Sequence, residues 1–345
     1  MSQRHEKDKK PGVYYVFAPT GEGDDLELPI IDVTHPAFAV TLTEDEIAAL
    51  VAKALAQPQP FAKLPSFARH ALYRLFLRGS ILARGFRASE GSFLSGLSTY
   101  LLKLGPENLG QAYATAIDRR IAASAPALAV RLRLQDMATL IADALAPRLA
   151  AAPGAPVRLV NIAGGPAMDS LNALILLRRD HPAALDGRRV SIDVLDQDAD
   201  GPTFGAHALS AWTAAGAPLA GLDATLRPIR SNWRDTGPLR HLLREVREAG
   251  GVAVGSSEGG LFEYGSDEEI AANLACLRDE AASDFVMAGS VTRADQTARQ
   301  LRAGGRHAVR PRGLELFRTL AAQSGWRITR AIERPLSDQV LLERA

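Results

Sequence analysis

The sequence predicts an α/β protein: a doubly wound, seven-stranded sheet whose last strand runs antiparallel, preceded by an α-helical N-terminal domain. Three observations predict it. From residue 157 onward, short runs rich in Val, Ile and Leu alternate with helix-like stretches, the pattern of a parallel sheet with crossover helices. The last two runs are separated only by Glu333 to Asp338, far short of the dozen or so residues a crossover needs, so the final strand has to return antiparallel. The first 150 residues instead show apolar residues at three- and four-residue spacing.

Taken in order, a charged tail leads into the strand-like Val13–Phe17 and an acidic turn region, an N-terminal arm over residues 1–40. Thr43-Glu44-Asp45-Glu46 is a capping box, and the helix it opens carries Ile47, Leu50, Val51 and Leu55 on one face. Helical patterns follow over 65–78, 90–103, 106–123 and 127–149, the last with Val130, Leu134, Met137, Ile141 and Leu145 along one stripe. The Ala-Ala-Pro-Gly-Ala-Pro run at 151–156 breaks that pattern. It divides a helical cap or dimerisation domain, 41–150, from a sheet domain, 151–345. Strands are expected at 157–162, 190–195, 224–230, 251–255, 284–290, 326–332 and 339–343, with a helix over 313–324 closed by Gly325.

Composition narrows the function. The 345 residues, 47% of them hydrophobic, are enough for a full core and more than one typical domain. Lys and Arg number 40 against 39 Asp and Glu, so there is no global field for nucleic acid or an anionic membrane. The single cysteine, Cys276, fits a reducing compartment, and neither a leader-like apolar stretch nor a membrane-length run occurs, so a cytoplasmic protein is expected. The seven histidines show no metal-ligand spacing, and no metal is expected.

Asn161-Ile162-Ala163-Gly164-Gly165-Pro166-Ala167 carries the ligand signal. A strand end followed by residues without bulk lets a ligand approach the backbone, and the next helix start favours an anionic group. Only two glycines stand here, against the three that serve a dinucleotide pyrophosphate, and no Gly-Lys-Ser/Thr loop occurs in the chain.

With that loop and that strand plan, residues 155–345 resemble the class I S-adenosylmethionine-dependent methyltransferases, whose Rossmann-like sheet ends in an antiparallel seventh strand. The family's first motif, acidic-x-Gly-x-Gly-x-Gly, falls on Asn161 to Ala167, with Gly165 the one glycine kept and Asn161, Ala163 and Gly164 beside it. The resemblance implies S-adenosyl-L-methionine as cofactor, with Asp196 and neighbouring Gln197 at the end of strand two taking the ribose hydroxyls, for which an ionised carboxylate is suited. Asn232 and Trp233 after strand three correspond to the adenine position, Ser256 at the end of strand four is a further cofactor contact, and Glu258 after it lies on the acceptor side. The Asn/Asp-Pro-Pro-Tyr/Phe sequence of enzymes that methylate nucleic-acid bases is missing. What the resemblance implies is therefore methyl transfer to an oxygen, nitrogen or carbon of a small molecule. The Gly164-Gly165 pair is also similar to small-molecule O-methyltransferases with helical dimerisation domains.

The remaining roles follow from chemistry at that edge. His207, His307 and Glu258 are candidate bases, although a methyl already activated on a sulfonium can be transferred by alignment and desolvation alone. Tyr100, in the hydroxyl- and glycine-bearing stretch 86–100, and Tyr264, ahead of the capping box Ser266 to Glu269, are candidate substrate contacts. The helical region is expected either to cover the cofactor side of the sheet, with Ser98, Thr99 and Tyr100 at the pocket, or to form a homodimer interface. The arginines between 293 and 312 are the one basic patch. Two rivals stand beside methyl transfer: aminopropyl transfer on the same fold, and a non-catalytic methyltransferase-like protein serving as a binding or assembly module.

Overall fold

The computed structural model describes residues 9–19, 26–56, 79–88, 94–302 and 308–345. Strands β1 (Tyr15–Ala18) and β2 (Leu26–Pro29) pair antiparallel. Of this hairpin only the first strand is legible in the sequence. Helix α1 (Glu44–Ala56) begins at the expected box: Thr43 N–H donates to Glu46 Oε2 at 2.8 Å, and Glu46 N–H to Thr43 Oγ1 at 3.3 Å. Helices α2 (Ile81–Ala88), α3 (Gly96–Lys103), α4 (Ala116–Ala122) and α5 (Ala125–Ala151) follow. The helix expected over 65–78 lies outside the described residues. That expected over 106–123 is not continuous: a 3-10 turn at Pro106–Asn108 ends in an extended Leu109, and α4 starts afresh from its own capping box at Thr115.

The sheet domain alternates as expected. It runs through β3 (Val157–Ile162), α6 (Met168–Asp180), β4 (Arg189–Asp196), α7 (Asp200–Thr213), β5 (Asp223–Arg230), α8 (Gly237–Ala249) and β6 (Val252–Ser257). Then come α9 (Leu261–Tyr264), α10 (Asp267–Glu280), β7 (Val286–Thr292), α11 (Gln296–Arg302), α12 (Gly313–Gln323), β8 (Trp326–Glu333) and β9 (Ser337–Arg344). The seven strands lie in the order β5-β4-β3-β6-β7-β9-β8. Strands β3 to β7 pair parallel, and β9 is antiparallel to both β7 and β8.

Alternation along each strand divides the core between the two faces. Val157, Leu159, Val190 and Ile192 point to one side, where α5, α6 and α7 cover them; Val160, Ile162, Ala253 and Met287 point to the other, against α8, α10 and α12. The N-terminal region is continuous with the first layer: Tyr100, Leu101, Met137, Leu140 and Ile141 share one core with Leu171, Leu174 and Phe204. The segment 152–156 between α5 and β3 is tied down, because the Arg188 guanidinium donates to the carbonyls of Leu149, Ala152 and Ala155 at 2.7–2.8 Å. Strand order reverses between β3 and β6, which leaves a crevice at their C-terminal ends where open α/β sheets bind ligands.

Candidate functional site

The loop after β3 is held in an uncommon backbone shape. Ala163, Gly165 and Ala167 have φ of 55°, 55° and 51°, all in the left-handed region that glycine enters without cost and alanine does not. These are the three positions of the glycine pattern, so the loop keeps the glycine conformation with alanine at two of them. The loop is also closely packed. A Cβ on Gly164 would stand 2.1 Å from Asn161 Oδ1, one on Gly96 of α3 2.7 Å from Gly165 Cα, and one on Gly205 of α7 2.4 Å from the Pro166 carbonyl oxygen.

Above this loop is a cavity of about 200 Å³, at the C-terminal ends of β3, β4 and β6. Its floor is Ala163 to Pro166, and Asp196, Gln197 and Trp233 stand at one end. Lys103, Glu258 and Tyr264 stand at the other, with Ser95, Gly96, Ser98 and Thr99 of the α3 start along the wall. The Asp196 carboxylate accepts the backbone N–H of Gly165 and of Asp198, each at 3.0 Å. Burial outweighs these bonds and raises its pKa. The Trp233 indole N–H donates to Glu269 at 3.1 Å, which fixes the ring at the cavity edge.

Several sequence-predicted residues turn elsewhere. Asn161 and Ser256 sit opposite each other on adjacent strands and are buried beneath the loop rather than in the cavity wall. Asn161 Nδ2 donates to Asp169 Oδ1 at 2.8 Å and to Ser256 Oγ at 3.0 Å. Asn232 closes a turn, its Oδ1 accepting from Arg234 N–H at 3.0 Å, while its neighbour Trp233 faces the cavity. Tyr100 is fully buried: its hydroxyl donates to the Pro29 carbonyl at 2.6 Å and accepts from Ile31 N–H at 3.0 Å, and its ring packs on Phe204. It is a strut between α3 and the β2 hairpin, outside the lining. His207 is on the exposed side of α7, 3.0 Å from the Phe17 carbonyl oxygen and away from the cavity. His307 lies outside the described residues.

Glu258 does line the cavity, but both its oxygens are taken, by Lys103 Nζ at 2.6 Å and Arg133 Nε at 3.1 Å. With both oxygens bonded to cations, the carboxylate is held in place and not aimed at a substrate proton. Tyr264 lines the cavity and is hydrogen-bonded to the backbone of Leu94, and burial raises its pKa. The described arginines of the basic patch are largely engaged internally: Arg312 pairs with Asp267, and Arg293 with Asp295, Glu333 and Asp338. Lys103 and Arg133 were missed by the sequence reading. The available signal was a cation embedded in an apolar run, Leu101-Leu102-Lys103-Leu104 and Leu132-Arg133-Leu134, where a solvated residue would not be placed.

The strand order, with β9 inserted antiparallel between β7 and β8 and a small-residue loop after β3, decides the architecture. This is the class I methyltransferase fold. No protein-family model matches the chain, and no curated protein matches it. Among solved structures it is similar to a possible exported protein from Bordetella parapertussis, 18% identical, covering 87% of this chain and 97% of that one with a TM-score of 0.51. It is also similar to the mitomycin 7-O-methyltransferase MmcR, 17% identical over 96% of this chain and 80% of that one, TM-score 0.42. A third is LepI C52A in complex with S-adenosylhomocysteine and a substrate analogue, 14% identical over 86% and 92%, TM-score 0.41. Among the described residues no helix is long and apolar enough to cross a membrane, and no cluster of three or more His, Cys, Asp or Glu side chains is placed to hold a metal ion.

Proposed function

We propose that the chain transfers a methyl group from S-adenosyl-L-methionine to an oxygen, nitrogen or carbon of a small-molecule acceptor. The observation that carries this reading is the charge and layout of the cavity. Among the described residues its lining has Asp196 and Asp198, which accept backbone N–H groups, at one end, and Glu258 paired with Lys103 at the other. The acidic end disfavours the diphosphate of a dinucleotide, whereas a cofactor bearing a sulfonium brings no such anion.

The residues at the Asp196 end suit the nucleoside part of the cofactor. Asp196 keeps lone pairs for a diol beyond the two N–H groups it accepts, Gln197 lies beside it, and the Trp233 ring offers apolar area for a purine. Ala163, Gly164 and Gly165 floor the site without side-chain bulk. When bound, the cofactor supplies a methyl group activated on a positive sulfur. The protein's part is to align the acceptor and keep water out, work for which α3 and the Lys103-to-Tyr264 wall are positioned. With Glu258 clamped and His207 facing Phe17, neither of these two is placed to act as a general base, and in this reading the acceptor's proton goes to solvent.

At about 200 Å³ the cavity is below the roughly 300–1,000 Å³ usual for ligands of this size, so in this reading α3 retreats from the loop as the cofactor enters. The helical region is then a lid. A thermal-shift panel of S-adenosylmethionine, S-adenosylhomocysteine, decarboxylated S-adenosylmethionine, NAD and ATP tests the proposal. A ligand at 100 times its dissociation constant stabilises by about 2.7 kcal/mol. Stabilisation by the first two and not by NAD or ATP is expected. Preference for the decarboxylated compound would turn the reading to aminopropyl transfer, and silence across the panel to a non-catalytic module.

A further inference from the structure

The cavity wall away from Asp196 is an ion cluster assembled from three separate stretches of chain. Lys103 is the last residue of α3, Arg133 lies within α5, and Glu258 follows β6. The side chains of Lys103 and Glu258 keep only 4% and 1% of their exposure. Arg133 bridges onward to Glu263 at 3.1 Å, and Glu263 accepts a further bond from Thr292 Oγ1 at 3.2 Å.

An ammonium carries three protons. Glu258 takes one of Lys103's, and among the described residues it is the only acceptor bonded to Nζ. Leaving buried, charged donors unpaired is expensive, so the other two protons call for an oxygen that the described residues do not supply. They have space for one, because Lys103 lines the cavity. The hydroxyls along the same wall bond elsewhere and not to Nζ: Ser95 Oγ donates to Ser98 Oγ at 2.9 Å, and Thr99 Oγ1 donates to the Ser95 carbonyl at 3.1 Å. Glu258 is shared with Arg133, which is paired onward with Glu263, so the cluster is balanced in charge and what Lys103 has to spare is hydrogen-bond donors facing the cavity.

We infer that Lys103 determines acceptor specificity by holding an anionic oxygen, a carboxylate or phenolate, so that the acceptor is a small organic acid. A charge-assisted bond from a partly desolvated ammonium favours such an oxygen over a neutral carbonyl. The inference rests on the methyl-transfer reading for the word acceptor, while the anion site itself stands on the geometry of Lys103.

Calorimetric titration of the full chain with benzoate, salicylate and 4-hydroxybenzoate, each against its uncharged amide, tests this with and without saturating S-adenosylhomocysteine. At least one acid is expected to bind ten-fold or more tightly than its amide. Lys103→Met should erase that preference while leaving S-adenosylhomocysteine affinity within two-fold, and Lys103→Arg should restore part of it. Lys103→Met combined with Glu258→Gln removes the pair without stranding a buried charge, and should lose the preference equally. Acids binding no better than amides, or a preference that survives Lys103→Met, would overturn the assignment. Failure of S-adenosylhomocysteine to bind the unaltered protein would overturn the methyl-transfer reading instead, leaving the acid titrations without it to judge Lys103.

Discussion

Gly96 at the start of α3 and Gly165 in the loop after β3 meet backbone to backbone: a Cβ on Gly96 would stand 2.7 Å from Gly165 Cα, and one on Gly165 2.8 Å from Gly96 Cα. Main chain from the helical region thus rests directly on the floor of the cavity, with no side chain between them.

Gly96→Ala tests that contact through the sign of its effect. Helix propensity alone would stabilise the variant, by up to about 1 kcal/mol. Overpacking at a backbone contact costs roughly 1–3 kcal/mol. Urea denaturation is expected to show a net loss; a gain would mean that α3 does not dock on the loop.

Ala163→Gly should behave in the opposite way from an ordinary alanine-to-glycine change. At φ 55° the alanine is strained by about 1–2 kcal/mol, and glycine releases that strain. Stability is expected to stay level or rise by up to about 1 kcal/mol. Ala173→Gly, inside α6, should lose about 1 kcal/mol, and equal losses at both positions would contradict the left-handed loop.

Asp169 gives the protein a pH signature. Burial, helped by the charge of Glu258, pushes its carboxyl up to about 6, whereas the unfolded chain titrates near 4. Its contribution to stability is therefore full below about pH 4 and lost as pH rises through about 6. Asp169→Asn should flatten this stretch of the stability profile, gaining on the unaltered protein by about 1–3 kcal/mol between pH 4 and 7. Parallel profiles from denaturation at pH 4, 5, 6 and 7 would remove Asp169 from the account.

Asp196→Ala should weaken S-adenosylhomocysteine binding by roughly 1.5–3 kcal/mol, the scale of a hydrogen bond to a charged group. The fold should survive, since the residue ends a strand instead of filling the core. An unchanged dissociation constant would take Asp196 out of the ligand site.

The sheet was legible because each strand announces itself locally: β3 begins and ends where the Val157–Ile162 run does, and the other strands fall within two residues or so of their β-branched stretches. Asp196, Gln197, Trp233, Glu258 and Tyr264 were legible as cavity residues because their places follow strand ends. Tyr100 was misplaced for want of a long-range fact, the pairing of β1 with β2, which brings the Pro29 carbonyl to its hydroxyl. Asn161 was assigned to the ligand by position, yet strand alternation turns its side chain to the same face as Val157 and Leu159, where Asp169 and Ser256 take it up. Lys103 escaped because its significance comes from Glu258 and Arg133, 155 and 30 residues away, brought together only by tertiary packing.

The insertion of β9 between β7 and β8 has a consequence for how the sheet is completed. Strand β8 precedes β9 in the chain, but among the described residues β9 is its only partner in the sheet, so β7 keeps an open edge and β8 has no neighbour until residues 337–344 are in place. Those eight residues act as a keystone, and a chain truncated short of them leaves two strands unpaired at once, open edges of the kind another copy can capture.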